Sequence, residues 1–192
     1  MNPKSDAIRF ECTKCGACCR ENSLLVTVTG RDIARISMGL ELDSNEVIRA
    51  LDFYLVSGND IPKGLLDIPA VKTEQGPAYI ALKKLENGDC IFLKDDLCMI
   101  HPIRPAVCMS FPFVFWDKDG EHTWGLSAKK AICPGLGTGP EVEVSELQEL
   151  AVVVLEELAL YEEFVERWNC EEKNPSSKTF IERILSNPTF SV

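Results

Sequence analysis

Apolar residues at 147, 150, 151, 154, 155, 158, 161, 164, 165 and 168 recur every three or four positions, which sets them along one face of a single long helix over residues 145–168. Earlier in the chain, Thr29 followed three residues later by Asp32 forms a capping-box pattern that predicts a helix through Met38, closed by Gly39. Ser44 predicts the start of another helix, reaching to about residue 57 and ended by Gly58. Ser176 or Ser177 is suited to cap a short last helix through Leu185.

Between these helices the pattern changes to short β-type runs. Residues 24–28, Leu-Leu-Val-Thr-Val, predict a strand. Residues 78–84 and 90–93 flank Asn87-Gly88, and residues 111–116 and 122–126 flank Asp119-Gly120. Both residue pairs accept positive φ, so each predicts a hairpin turn, the second pressing three aromatic side chains into the core. Residues 10–20 predict a loop, and residues 59–76, with Pro62, Gly64, Pro69 and Gly76, predict turns and irregular backbone. Gly135, Gly137 and Gly139 run into Pro140 without the strand before and helix after that a dinucleotide fingerprint requires, so they read as a linker. The sum is an α+β fold. It consists of a small cysteine-rich, metal-centred domain over residues 1–140 with two short hairpins and several helices, and a helical extension over 141–192 that carries the long amphipathic helix and packs on it.

Composition narrows the functions. The net charge of −10 is concentrated between residues 141 and 173, where eleven glutamates face only Arg167 and Lys173. No basic stripe offsets them, so the charge pattern excludes nucleic acid as a partner; the acidic helix 145–168 is a solvated face or a dock for a protein partner. The first residues lack a cationic stretch followed by an apolar run, which predicts a cytoplasmic protein. The longest wholly apolar run, residues 150–155, is far shorter than the roughly 18 residues needed to span a bilayer, so no membrane role is expected.

The nine cysteines carry the chemistry. In a reducing compartment such a number points to metal or catalysis more than to disulfides. Cys12-x2-Cys15-x2-Cys18-Cys19 packs four soft donors into eight residues of a polar loop, with Gly16 permitting the tight backbone turns that wrap a metal centre. Cys90, Cys98, Cys108 and Cys133 are scattered singly, and folding has to bring them in. A structural zinc site is usually built from two paired knuckles, so one dense loop plus isolated cysteines favours an iron-sulfur cluster of the 4Fe-4S type, with zinc as the alternative. Cys133-Pro134 matches the remote cysteine-proline that completes a ferredoxin loop, which makes Cys12, Cys15, Cys18 and Cys133 the preferred ligands. On extended backbone the side chains of Cys18 and Cys19 diverge, so Cys19 is expected to face a second centre with Cys90, Cys98 and Cys108. Cys170, remote from all of these, reads as a packing residue or free thiol.

Residues 98–113, Cys-Met-Ile-His-Pro-Ile-Arg-Pro-Ala-Val-Cys-Met-Ser-Phe-Pro-Phe, together with the N-terminal cysteine motif, resemble the YkgJ-type CxxCxxCC cysteine-cluster family, a zinc- or iron-chelating domain. The resemblance covers roughly residues 10–135 and implies eight metal-ligand positions: Cys12, Cys15, Cys18, Cys19, Cys90, Cys98, Cys108 and Cys133. Flagellin lysine N-methylases contain a similar cysteine-rich region, which implies a role in methyl transfer or another modification, although no nucleotide-binding domain accompanies it here.

Arg104, between two prolines, is a candidate to donate hydrogen bonds or positive charge to thiolate sulfur, or else to pair with a carboxylate. His101 suits a metal in chemistry, while its place before Pro102 favours packing. No acid–base pair stands out, and His122 sits alone, so no catalytic residue is assigned. The function expected is metal binding, in support of electron transfer or of a modifying enzyme.

Overall fold

The structure is a computed structural model that describes residues 8–56 and 68–191. In chain order the elements are β1 (Arg9–Phe10), α1 (Ala17–Arg20), α2 (Gly30–Gly39), α3 (Ser44–Val47), β2 (Leu51–Leu55), β3 (Val71–Thr73), β4 (Gly76–Leu82), β5 (Leu93–Lys94), β6 (Leu97–Cys98), α4 (Ala106–Ser110), β7 (Phe113–Lys118), β8 (Glu121–Leu126), β9 (Leu136–Glu141), α5 (Val144–Glu171) and α6 (Ser177–Leu185). Short 3-10 turns follow α3, precede α4 and follow α6. The fold is α+β, with small antiparallel sheets β1–β9, β2–β4–β3, β5–β6 and β7–β8 among the helices.

The main core forms where α2, α5 and α6 close over β4. Residues Ala78 through Leu82 of β4 are all buried, so this strand needs cover on both faces and pairing on both edges. Val28, Ile33, Ile36, Leu51, Ile80, Tyr161, Phe164, Phe180 and Phe190 share one apolar cluster with Cys90. Phe164 meets the rings of Phe180 and Phe190 at 5.5 and 5.1 Å, and the Phe190 ring lies on Gly30, where a Cβ would come within 2.7 Å of it. Thr29 and Asp32 make the full capping box at the start of α2, and Ser176 caps α6. The long helix runs slightly beyond its predicted bounds. Among the described residues no helix is long and apolar enough to cross a membrane.

Several expected elements are corrected. The helix predicted from Ser44 ends at Val47, its cap is Asp43, and after a 3-10 turn the chain becomes strand β2, paired in register from Leu51 opposite Leu82 to Leu55 opposite Ala78. Local helix signals yield here because the edge of buried β4 must be satisfied and Phe53 and Tyr54 suit a half-buried sheet face. Residues 71–73, expected to be irregular, form β3 on the other edge; residues 57–67 of that segment, and with them the predicted stop at Gly58, lie outside the described residues. The strand at 24–28 reduces to a bridge, Thr27 opposite Ala81. The first predicted hairpin reduces to a bridge between Lys84 and Cys90 around a turn at Gly88, since β4 already has its partners. The second forms as β7–β8 around Asp119 and Gly120, both at positive φ, but only Phe113 of its aromatics is fully buried, and Trp116 is 43 % exposed.

One buried charge was not legible in the helical pattern. Glu157 sits on the inner face of α5, 4 % exposed, and its Oε1 lies 2.7 Å from Nη2 of Arg35 on α2. Arg35 also donates to the Arg104 carbonyl at 3.2 Å. Replacing Glu157 by Ala is expected to cost about 3 kcal/mol in denaturant unfolding because it leaves the Arg35 cation with only the longer 3.5 Å carboxylate contact to Asp32, whereas Glu157→Gln, which keeps an acceptor for Arg35, should cost less.

Candidate metal centre

Cys12 lies two residues past β1, and Cys133 lies three residues before β9, so the β1–β9 pairing draws together two cysteines far apart in sequence. Glu11 N–H donates to the Gly135 carbonyl at 3.3 Å. A Cβ on Gly135 would stand 2.2 Å from the Glu11 carbonyl oxygen, and one on Gly139, at φ +72°, would stand 2.4 Å from the Glu11 Cβ. The glycine run expected to be a linker is therefore a strand edge whose missing side chains let the two backbones meet.

Residues 10–20 are likewise not all loop. Gly16, at φ +68°, turns the chain into α1, the single helical turn that carries Cys18 and Cys19. The premise of an extended backbone at this pair is thus overturned, and the two thiols are near enough to shift each other's acidity. Gly16 presses on the β5–β6 hairpin: a Cβ would come 2.9 Å from the Asp96 carbonyl oxygen and from Leu93 Cδ1. Arg20 secures the same junction through an ion pair with Asp96 and a 3.0 Å bond to the Cys15 carbonyl. The Cys90 N–H donates to the Cys19 carbonyl at 2.8 Å, Cys98 ends β6, and Cys108 lies in α4.

These segments wall two adjoining cavities. One, of about 80 Å³, is bordered by Cys12, Cys15, Cys18, Cys19, Cys98, Cys108 and Cys133 together with Gly16, His101 and Arg104. The other, of about 290 Å³, is bordered by Cys18, Cys19, Cys90, Cys98, Cys108 and Arg104, with mainly apolar side chains completing it. Cys18, Cys19, Cys98 and Cys108 belong to both, and Cys170, exposed on α5, to neither. As they stand, no three His, Cys, Asp or Glu side chains among the described residues close on a point tightly enough to grip one ion. The thiols surround a space.

Local electrostatics divide them. The Cys19 thiol, bonded to Cys18 and Cys98, keeps its proton and is pushed up; its two partners are lowered, Cys18 to about 7 and Cys98 to about 6, the charge of Arg104 adding to the effect at Cys98. Burial raises Cys90, Cys133 and, most strongly, Cys108, which keeps some residue surface while its thiol is enclosed. Against that burial, backbone N–H groups favour the thiolates: those of Ala17 at Cys15, Phe92 at Cys90, Ile100 at Cys98 and Gly135 at Cys133, in each case two residues on. At Cys15 the side chain of Thr13 gives the strongest support, ahead of the Ala17 N–H.

The Arg104 hydrogen bonds go to His101, at its carbonyl (2.5 Å) and Nδ1 (3.1 Å), and to the Cys108 carbonyl (3.4 Å). Its charge, rather than a bond to sulfur, acts on Cys98. Burial first, then the cations Arg104 and Lys14, lower the His101 pKa. Sequence reasoning missed Arg20, Asp96, Thr13, Asp32 and Arg35, which position the cysteine segments. Only the capping box gave a signal for any of them, at Asp32.

A model of the CxxCxxCC family, described as "Putative zinc- or iron-chelating domain", matches residues 11–134. The chain belongs to this family. The CxxCxxCC match starts one residue before Cys12 and stops one after Cys133, so it encloses all eight clustered cysteines and leaves Cys170, α5 and α6 outside. No curated protein and no solved structure matches the chain.

In metal-free protein at pH 7, brief iodoacetamide treatment should label Cys98 and Cys18 before Cys90, Cys108 and Cys133, since the thiolate is the nucleophile; peptide mass mapping reads the order. Gly16→Ala should lower stability by about 1–2 kcal/mol from the positive φ alone, with a further loss from the clash at Asp96, measured by thermal melting.

Proposed function

We propose that the chain is a cytoplasmic iron-sulfur protein. Cys12, Cys15, Cys18 and Cys133 hold a 4Fe-4S cluster, and Cys19, Cys90, Cys98 and Cys108 make the second half of the thiolate set. The observation that carries this reading is the joint lining of two adjoining cavities by all eight family cysteines. Eight soft sulfur donors fit iron or zinc and not a hard cation. A cluster interposes its own irons and sulfides between the cysteines, so it suits thiols spread over cavity walls. A single zinc draws four sulfurs to about 2.3 Å from one point.

When bound, a cluster supplies one-electron redox chemistry. The chain's residues provide the surroundings: backbone N–H groups that favour thiolate sulfur, the Arg104 cation, and apolar walls from Phe10, Phe111 and Ile132 around Cys133 that limit water. Electron transfer, or support of a modifying enzyme such as a protein methylase, follows as the biological role. The exposed glutamates of α5 are the face for a protein partner. Zinc is the second reading, favoured by the nearness of the Cys19 thiol to those of both Cys18 and Cys98.

Anaerobic purification with metal and sulfide analysis separates the two. The expected product is brown, absorbs broadly in the visible, and contains iron with acid-labile sulfide; a colourless protein with stoichiometric zinc overturns the first reading. Cys15→Ala and Cys133→Ala should each lose the metal and melt earlier, because metal-binding free energy in such a site is also folding free energy, while Cys170→Ala should keep both.

A further inference from the structure

Building on the thiolate-bound centre proposed above, we infer that His101 serves that centre as a hydrogen-bond donor to sulfur through Nε2, and not as a ligand. The tautomer follows from its neighbour. Nδ1 lies 3.1 Å from Nη1 of Arg104, and a guanidinium has donors only, so Nδ1 must accept. The proton of the neutral ring is then on Nε2. The same Nη1 reaches the His101 carbonyl at 2.5 Å, and Nε reaches the Cys108 carbonyl at 3.4 Å, so the guanidinium is braced across the loop.

Nε2 is buried and meets no hydrogen-bond partner among the described residues. A buried N–H without an acceptor is unfavourable, and native structures seldom keep one without a reason. His101 belongs to the cavity wall shared with seven cysteines, so sulfur is the acceptor that a closing centre would bring to it. Thiolates drawn inward around a soft metal carry negative charge and accept N–H bonds well. Ligation through Nε2 would instead move the proton to Nδ1 and set that N–H head-on against the guanidinium N–H. The donor geometry thus offsets thiolate charge and adds no ligand to the sulfur set.

The chain has two histidines, which makes the test direct. Full-length protein labelled with ¹⁵N-histidine is compared metal-free and loaded with ¹¹³Cd, a thiolate-preferring probe. The expected result is a His101 ring with its proton on Nε2 in both states, no direct coupling of either nitrogen to cadmium, and an Nε2–H resonance that moves on loading. Proton placement on Nδ1, or one-bond coupling between Nε2 and cadmium, overturns the inference. Failure of cadmium to enter the wild-type thiols, read from metal content and not from the ring, overturns the centre and this role with it. In chelator competition His101→Ala should keep full stoichiometry but lose roughly 10- to 100-fold in affinity, and His101→Gln, whose amide N–H takes the place of Nε2–H, should recover most of it. Loss of stoichiometry in both variants, or no gain from Gln over Ala, counts against a donor role.

Discussion

One buried carboxylate ties the helical body to the cysteine loops. Asp32, 1 % exposed, accepts the Thr29 N–H at 2.9 Å at the head of α2 and the Ala106 N–H at 2.8 Å at the head of α4. Burial pushes its pKa up, and the two N–H donors and the Arg35 cation 3.5 Å away oppose that shift. Arg35 in turn reaches Glu157 on α5 and the Arg104 carbonyl. The segment bearing Arg104 and Cys108 is thereby anchored to α2 and α5 by ionic and backbone bonds, in a region where apolar packing alone would leave the register loose.

The thiol-lined space lies between two apolar clusters. Cys90 belongs to the large one under α2, α5 and α6, and Cys133 to a small one with Ala128, Leu136, Phe10, Phe111 and Ile132. Concentrating thiolates is unfavourable because like charges repel and burial disfavours each. The countermeasures are local: peptide N–H groups at four sulfurs, the Arg104 cation, and a Cys19 thiol that is pushed up while its neighbours Cys18 and Cys98 are lowered. The large core adds contacts of another kind. Its aromatic contacts, Phe164 on Phe180 and Phe190 and Trp168 on Phe180, lie among the helices α5 and α6 and the chain end that follows.

Features written in short-range chemistry were legible before the structure. The Thr29–Asp32 box, the Asp119-Gly120 turn, the apolar stripe of α5 and the cysteine spacing each follow from a few neighbouring residues. What escaped depends on partners remote in sequence. Residues 51–55 have helical surroundings on one side, and only the demand of β4 for an edge partner makes them a strand. Glu157 occupies a position that periodicity would give to an apolar residue, and nothing near it in sequence announces Arg35. Gly135 and Gly139 look like a flexible joint until Glu11 is seen lying against them. At the site, the cysteine identities were readable, while the Arg20–Asp96 brace and the His101–Arg104 contact had no signal beyond residue type.

The β1–β9 ladder has a consequence for how the protein is made. Cys12 and Cys133 are 121 residues apart, yet they are joined through the first and last strands among the described residues. During synthesis the N-terminal sulfur motif leaves the ribosome long before the strand that closes over it exists. The cavity wall that Cys133 shares with the N-terminal motif is therefore closed only once residues 136–141 have emerged and paired with residues 9–10.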